Sequence, residues 1–84
     1  MVTRKNCMEE IAKAIGVKLG EDFVVDSEMG YNMGIFNIDR NGLWEYDKQH
    51  KCYFERNCYL LHIILGRCGV RKMTNEEVVT EALK

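Results

Sequence analysis

The sequence has no proline and a single tryptophan, and its net charge is only −1, from 12 basic and 13 acidic side chains. Each shortage excludes something. With no proline, no repeat and no low-complexity stretch, nothing reads as a linker. Residues 1–84 are therefore expected to form a single domain, since so short a chain cannot hold two cores of ordinary size. A charge this close to balance does not by itself nominate nucleic acid as a partner. No apolar run approaches the roughly 20 residues that a membrane span needs, not even the one around Ile63-Ile64-Leu65 with His62 tolerated. Residues 1–10 are polar and mixed in charge, so no secretory leader is expected. Enzyme signatures are missing too: there is no Gly-x-Gly-x-x-Gly, no Walker loop and no Gly-x-Ser-x-Gly. A non-enzymatic protein is the expectation.

What is present suits a folded globule: 46% hydrophobic and 30% charged residues. Met8, Ile11, Ala12 and Ile15 recur at helical spacing. Asn6 and Glu9 are placed to form a capping box before them, and Gly16 to end the helix. Asp22–Asp26 and Met33–Ile38 read as strands, with Ile35 facing one way and Phe36 and Ile38 the other. Asn41-Gly42 is the strongest hairpin signal and predicts a type I′ turn leading into a strand from Leu43 to Tyr46. Within that strand, Trp44 and Tyr46 share one face and are expected in the core. Asp47–Tyr53 is polar and reads as a loop, with Tyr53 and Phe54 at its junction with the next helix. That helix, Asn57–Leu65, is apolar enough to bury most of its circumference, and Gly66 stops it. Val70–Met73 reads as a short edge strand. Thr74-Asn75-Glu76-Glu77 reads as the cap of a last helix carrying Val78, Val79, Ala82 and Leu83. The expected fold is α+β: a small three- or four-stranded antiparallel sheet with helices packed on one face.

The chain carries four cysteines, Cys7, Cys52, Cys58 and Cys68, and two histidines, His50 and His62. In a reducing compartment disulfides are rare, which leaves buried hydrophobe, reactive thiol or metal ligand. Cys58 and His62 stand four residues apart on a predicted helix and so share a face. His50 and Cys52 lie just upstream, giving His-x-Cys-x5-Cys-x3-His. These four residues are the candidate ligands of one structural Zn²⁺, a tetrahedral ion bound by sulfur and nitrogen donors. Cys7 can stand in for His50, and Cys68 is a weaker substitute. A filled site of this kind holds about one zinc per chain, and its loss would loosen residues 47–56. The plain reading stands beside it: His62 on an exposed helix face, Cys58 a small core side chain, His50 a solvated loop residue. A Cys58–His62 nucleophile pair is the third reading, without an evident substrate cleft.

Charge is polarised along the chain. Glu9, Glu10, Glu21, Asp22, Asp26 and Glu28 lie early; Lys48, Lys51, Arg56, Arg67, Arg71 and Lys72 lie late. Such a pattern can steer a partner or simply be a solvated surface. Met8–Val17 has the look of the first helix of a helix-turn-helix, but the glycine and β-rich run that follow argue against a recognition helix, and so against direct nucleic-acid binding.

Met8–Phe23 (MEEIAKAIGVKLGEDF), the Gly-Leu-x-x-Tyr-Asp run at Gly42–Asp47 and the Leu-Leu-x-x-Ile-Leu run at 60–65 together resemble the small accessory proteins of prophages in Gram-positive bacteria. The similarity spans roughly Met8 to Met73; the chain departs from that group in its cysteines and in lacking a proline-rich tail. Some phage proteins of this size are anti-CRISPR inhibitors that bind an RNA-guided DNA endonuclease. The resemblance implies a phage-encoded protein in the bacterial host cytoplasm that binds a host protein, a type II CRISPR nuclease being the specific target, and inhibits it by occupancy. A small DNA-binding regulator of phage genes is the alternative.

Overall fold

The computed structural model describes residues 5–73. In chain order they form helix α1 (Met8–Ala14), strands β1 (Asp22–Asp26), β2 (Asn32–Asp39), β3 (Gly42–Asp47) and β4 (Cys52–Glu55), helix α2 (Asn57–Ile64) and strand β5 (Gly69–Lys72). The strands make one five-stranded sheet in the order β4-β3-β2-β1-β5, and every pairing is antiparallel. The α+β class is as expected, with five strands rather than three or four. The extra strand is β4, where a loop was expected. All four of its residues are exposed, so no alternation of apolar and polar side chains marks it in the sequence; pairing with β3, from Trp44↔Glu55 to Asp47↔Cys52, holds it. The last predicted helix, from Thr74 onward, lies outside the described residues.

The period-2 pattern of the strands builds the core on one face. Phe23 and Val25 from β1, Phe36 and Ile38 from β2, and Leu43 from β3 pack with Ala12 and Val17 below α1 and Ile63 of α2. Burying each large side chain among them contributes about 1.5–3 kcal/mol. Helix α1 is fixed at its ends. Asn6 sits one residue before the N-cap, where its side chain accepts from the Met8 N–H at 2.9 Å and donates to the Arg40 carbonyl at 2.8 Å. The expected capping box does not form: Cys7 is the N-cap, with no side-chain cap bond, and Glu9 instead pairs with Arg40. At the other end the Gly16 N–H reaches the Lys13 carbonyl and the Val17 N–H the Ala12 carbonyl, the paired bonds of a Schellman stop. That stop tucks Val17 into the core. Gly66 and Arg67 close α2 with the same two bonds, to Ile63 and His62.

Three expectations are corrected. The β2–β3 turn is not type I′: Asp39 pairs with Gly42, which puts Arg40 and Asn41 at its centre, and of Asn41 and Gly42 only Gly42 has positive φ (135°). The Asp39 carboxylate, accepting from the Asn41 N–H at 2.7 Å, holds the turn instead. Helix α2 buries one stripe, not most of its circumference, because it lies on a single sheet face. Ile63 is buried, while Leu61, Ile64 and Leu65 are 60%, 49% and 56% exposed. Trp44 and Tyr46 do share a face, but it is the face away from the helices, since Leu43 points into the core and alternation sends its neighbour outward.

The start of α2 is seated on the start of β3. The Asn57 side-chain oxygen accepts from the Leu43 N–H at 2.8 Å, and the Arg56 N–H donates to the Leu43 carbonyl at 2.8 Å. A Cβ on Gly42 would fall on the Asn57 carboxamide, 2.8 Å from its Cγ. Gly42→Ala therefore adds backbone strain to a displaced cap, and should destabilise by about 2–4 kcal/mol in urea unfolding. Asn57→Ala should cost about 1–3 kcal/mol by orphaning the Leu43 N–H. In the Asn57→Ala background Gly42→Ala should cost less, and strict additivity of the two would contradict the seat.

Candidate binding face of the sheet

The four expected zinc ligands are dispersed. His50 lies in the β3–β4 turn, its ring Nδ1 2.9 Å from Asp47 Oδ2 and its ring edge-on to Phe54. The His50 side chain and backbone N–H, with the Gln49 N–H, hold the Asp47 carboxyl below its usual range. Cys52 pairs with Asp47. Cys58 follows Asn57, which is bonded to Leu43 at the opposite end of β3. The strand from Leu43 to Asp47 is about 13 Å long at 3.3 Å per residue, whereas donors around one tetrahedral zinc lie within about 4 Å of each other. The set does not fit a single ion within one chain. Cys58 and His62 share a face of α2, and both are exposed. Among the described residues no three His, Cys, Asp or Glu side chains converge as a metal group, and no helix is long and apolar enough to cross a membrane.

The better-built feature is the outer face of the sheet, opposite both helices. Register and alternation place Asp22, Val24 and Asp26 of β1 there, with Ile35, Asn37 and Asp39 of β2 and Trp44 and Tyr46 of β3. Tyr53 and Glu55 of β4 and Arg71 of β5 complete it. The Tyr46 and Tyr53 rings meet at 5.2 Å. Asp22 organises the neighbours: its Oδ1 accepts from Asn37 Nδ2 at 2.9 Å and from the Tyr53 hydroxyl at 2.8 Å, tying β1, β2 and β4 together. Trp44 Nε1 donates to Asp39 Oδ1 at 2.9 Å, which fixes the indole on the face. A cavity of about 590 Å³ opens between these strands, lined by Glu21, Asp22, Ile35, Tyr46 and Tyr53 and closed at the β5 edge by Lys72 and Met73.

The face is acidic as well as aromatic. Asp22, Asp26, Asp39 and Glu55 stand on it; Asp26 is bonded to Arg71 at 3.1 Å, Asp39 holds the Trp44 indole and Glu55 accepts from the Asn57 N–H. Sequence reading missed this site because it placed Trp44 and Tyr46 in the core and Tyr53 in a loop. The spacing of Trp44 and Tyr46, two apart beyond a turn signal, was the available clue; the pairing of Tyr53 with Tyr46 had none. No family model, curated protein or solved structure matches the chain.

Partial burial, the hydrogen bond its hydroxyl donates to Asp22, the charge of that carboxylate, and Tyr46 push the Tyr53 phenol up from 10.0 to about 12. The folded state thus favours the neutral phenol. That contribution to stability is complete below pH 10 and is lost as pH rises through about 12. The tyrosinate absorbance of the folded chain should show a step near pH 12 that Tyr53→Phe abolishes. A late step that survives in Tyr53→Phe would contradict the Asp22 contact.

Proposed function

We propose that this is a non-enzymatic, phage-encoded binding protein that acts by occupancy, laying the outer sheet face against a basic surface of a bacterial host protein. The observation that carries the reading is the cavity lined by Tyr46 and Tyr53, with Asp22 and Glu21 in its wall. Rigid aromatic side chains around a recess are the usual anchors of a protein–protein contact. Carboxylates around them steer encounter with a positive partner and fix its orientation. The bond from Trp44 to Asp39 and the one from Tyr53 to Asp22 hold both rings in place before contact, so little ordering cost remains at binding.

The resemblance to prophage accessory proteins supplies the biological setting, and the charge supplies the partner's chemistry. An RNA-guided DNA endonuclease of a type II CRISPR system holds nucleic acid in a positively charged channel. An acidic, aromatic face of this size suits that channel, and filling it excludes target DNA. The reading needs no metal.

The chain should co-purify with such a nuclease, reduce its binding of target duplex, and lose affinity as salt rises. Tyr46→Ala should weaken the complex by about tenfold or more, the effect of removing an anchoring aromatic, and Asp22→Lys should slow association. A salt-dependent gel shift with duplex DNA and no retention of the nuclease would overturn the proposal in favour of a DNA-binding regulator.

A further inference from the structure

The face of α2 turned away from the sheet carries Cys58, Leu61, His62 and Leu65, at the i, i+3, i+4, i+7 positions of one stripe. All four are exposed. No hydrogen bond or ion pair engages the Cys58 thiol or the His62 ring among the described residues, and α2 contains no Asp, Glu, Lys or Arg. The stripe therefore combines an unengaged pair of metal-binding side chains with flanking aliphatic surface.

We propose that this stripe is half of a zinc site, completed by the same stripe of a second copy of the chain. Two donors at i, i+4 are a bidentate clamp, and a tetrahedral zinc takes four. The dispersal of His50 and Cys52 leaves α2 without a third converging donor among the described residues, whereas a two-fold axis supplies an identical pair. Successive residues rise 1.5 Å, so Cys58 and His62 are about 6 Å apart along the helix. An axis crossing two antiparallel α2 helices level with Leu60 sets Cys58 of each copy beside His62 of the other. The four donors then surround one ion as Cys2His2. On binding, each thiol releases its proton to solvent and each imidazole coordinates as the neutral ring. Leu61 and Leu65 flank the ion and exclude water.

The occupant is a second copy for two further reasons. With no charged side chain on either α2, like charges do not oppose the pairing across the stripe. And the aliphatic surface is small: Leu61, Ile64 and Leu65, each about half exposed, fall short of the roughly 1,000 Å² that holds a stable interface without help. The dimer is therefore metal-dependent. It lies on the helical side of the sheet, so it leaves the outer face free and does not rest on the function proposed for that face.

The test is sedimentation of the full chain, freed of metal by chelator and kept reduced with a phosphine rather than a thiol, as zinc alone is added. Monomer should convert to dimer with an end point of one zinc per two chains, and cobalt in place of zinc should give the absorption of a thiolate-bound tetrahedral ion. Cys58→Ser and His62→Ala should each raise the zinc needed for dimerisation by at least about tenfold, the loss seen even for supporting partners of a metal ligand. His50→Ala and Cys52→Ser should leave it unchanged. All four altered side chains are exposed, and circular dichroism melts check that the variants stay folded. Any of three results would overturn the proposal: a chain that stays monomeric with zinc, an end point of one zinc per monomer, or a dimer that survives chelator.

Discussion

The rest of the structure depends on how α2 is attached. One carboxamide, that of Asn57, occupies the space a side chain at position 42 would need and takes the N–H of Leu43. Leu43 is fully buried, so that N–H has no water to turn to, and leaving it unpaired would cost about 1–3 kcal/mol. With the Leu43 carbonyl taken by the Arg56 N–H, the entry to α2 extends the pairing of β4 and then turns off over the core. Where the helix starts and which way it runs are settled there. So is the stripe it buries: Tyr59 meets Phe36 edge to face, Ile63 enters the core, and Cys58, Leu61, His62 and Leu65 are left outside.

The same attachment gives the molecule two unlike surfaces on opposite sides of one thin sheet. Both helices crowd one side, and the alternation that feeds Phe23, Phe36 and Leu43 to them sends Asp22, Asn37 and Trp44 to the other. Among the described residues Asp22 is in no ion pair; it is held by neutral donors, Asn37 and Tyr53, so no cation neutralises its charge. On the helical side the exposed stripe is uncharged. One face suits a basic macromolecule and the other a metal and a twin. A dimer joined through α2 would present two acidic faces at once, and avidity would follow without any new contact.

Much of the frame was legible in the sequence because the residues that build it obey local rules. Helical spacing from Met8, alternation through Phe36 and Ile38, and glycines at 16 and 66 each point to one conformation, and the structure follows them. The misreadings share a cause: properties set by neighbours distant in sequence. Cys52–Glu55 has no pattern of its own and becomes a strand only beside β3. An apolar helix such as Asn57–Ile64 looks buried all round until one knows that a single sheet face is on offer. Metal-ligand spacing near His50 and Cys58 says nothing about a strand lying between them, and that strand separates the set. Asn57, the residue on which the fold turns, reads locally as an ordinary helix-start residue; its partner at Leu43 lies across the intervening hairpin.

Amide hydrogen exchange at Leu43, followed by NMR in the native state, tests the attachment most directly. If the Asn57 carboxamide holds it, the Leu43 amide exchanges only with global unfolding and ranks with the amides of Phe23 and Phe36. Exchange several orders of magnitude faster than that of the Phe23 and Phe36 amides would show that α2 is not fastened there, and the division of the molecule into two faces would lose its basis.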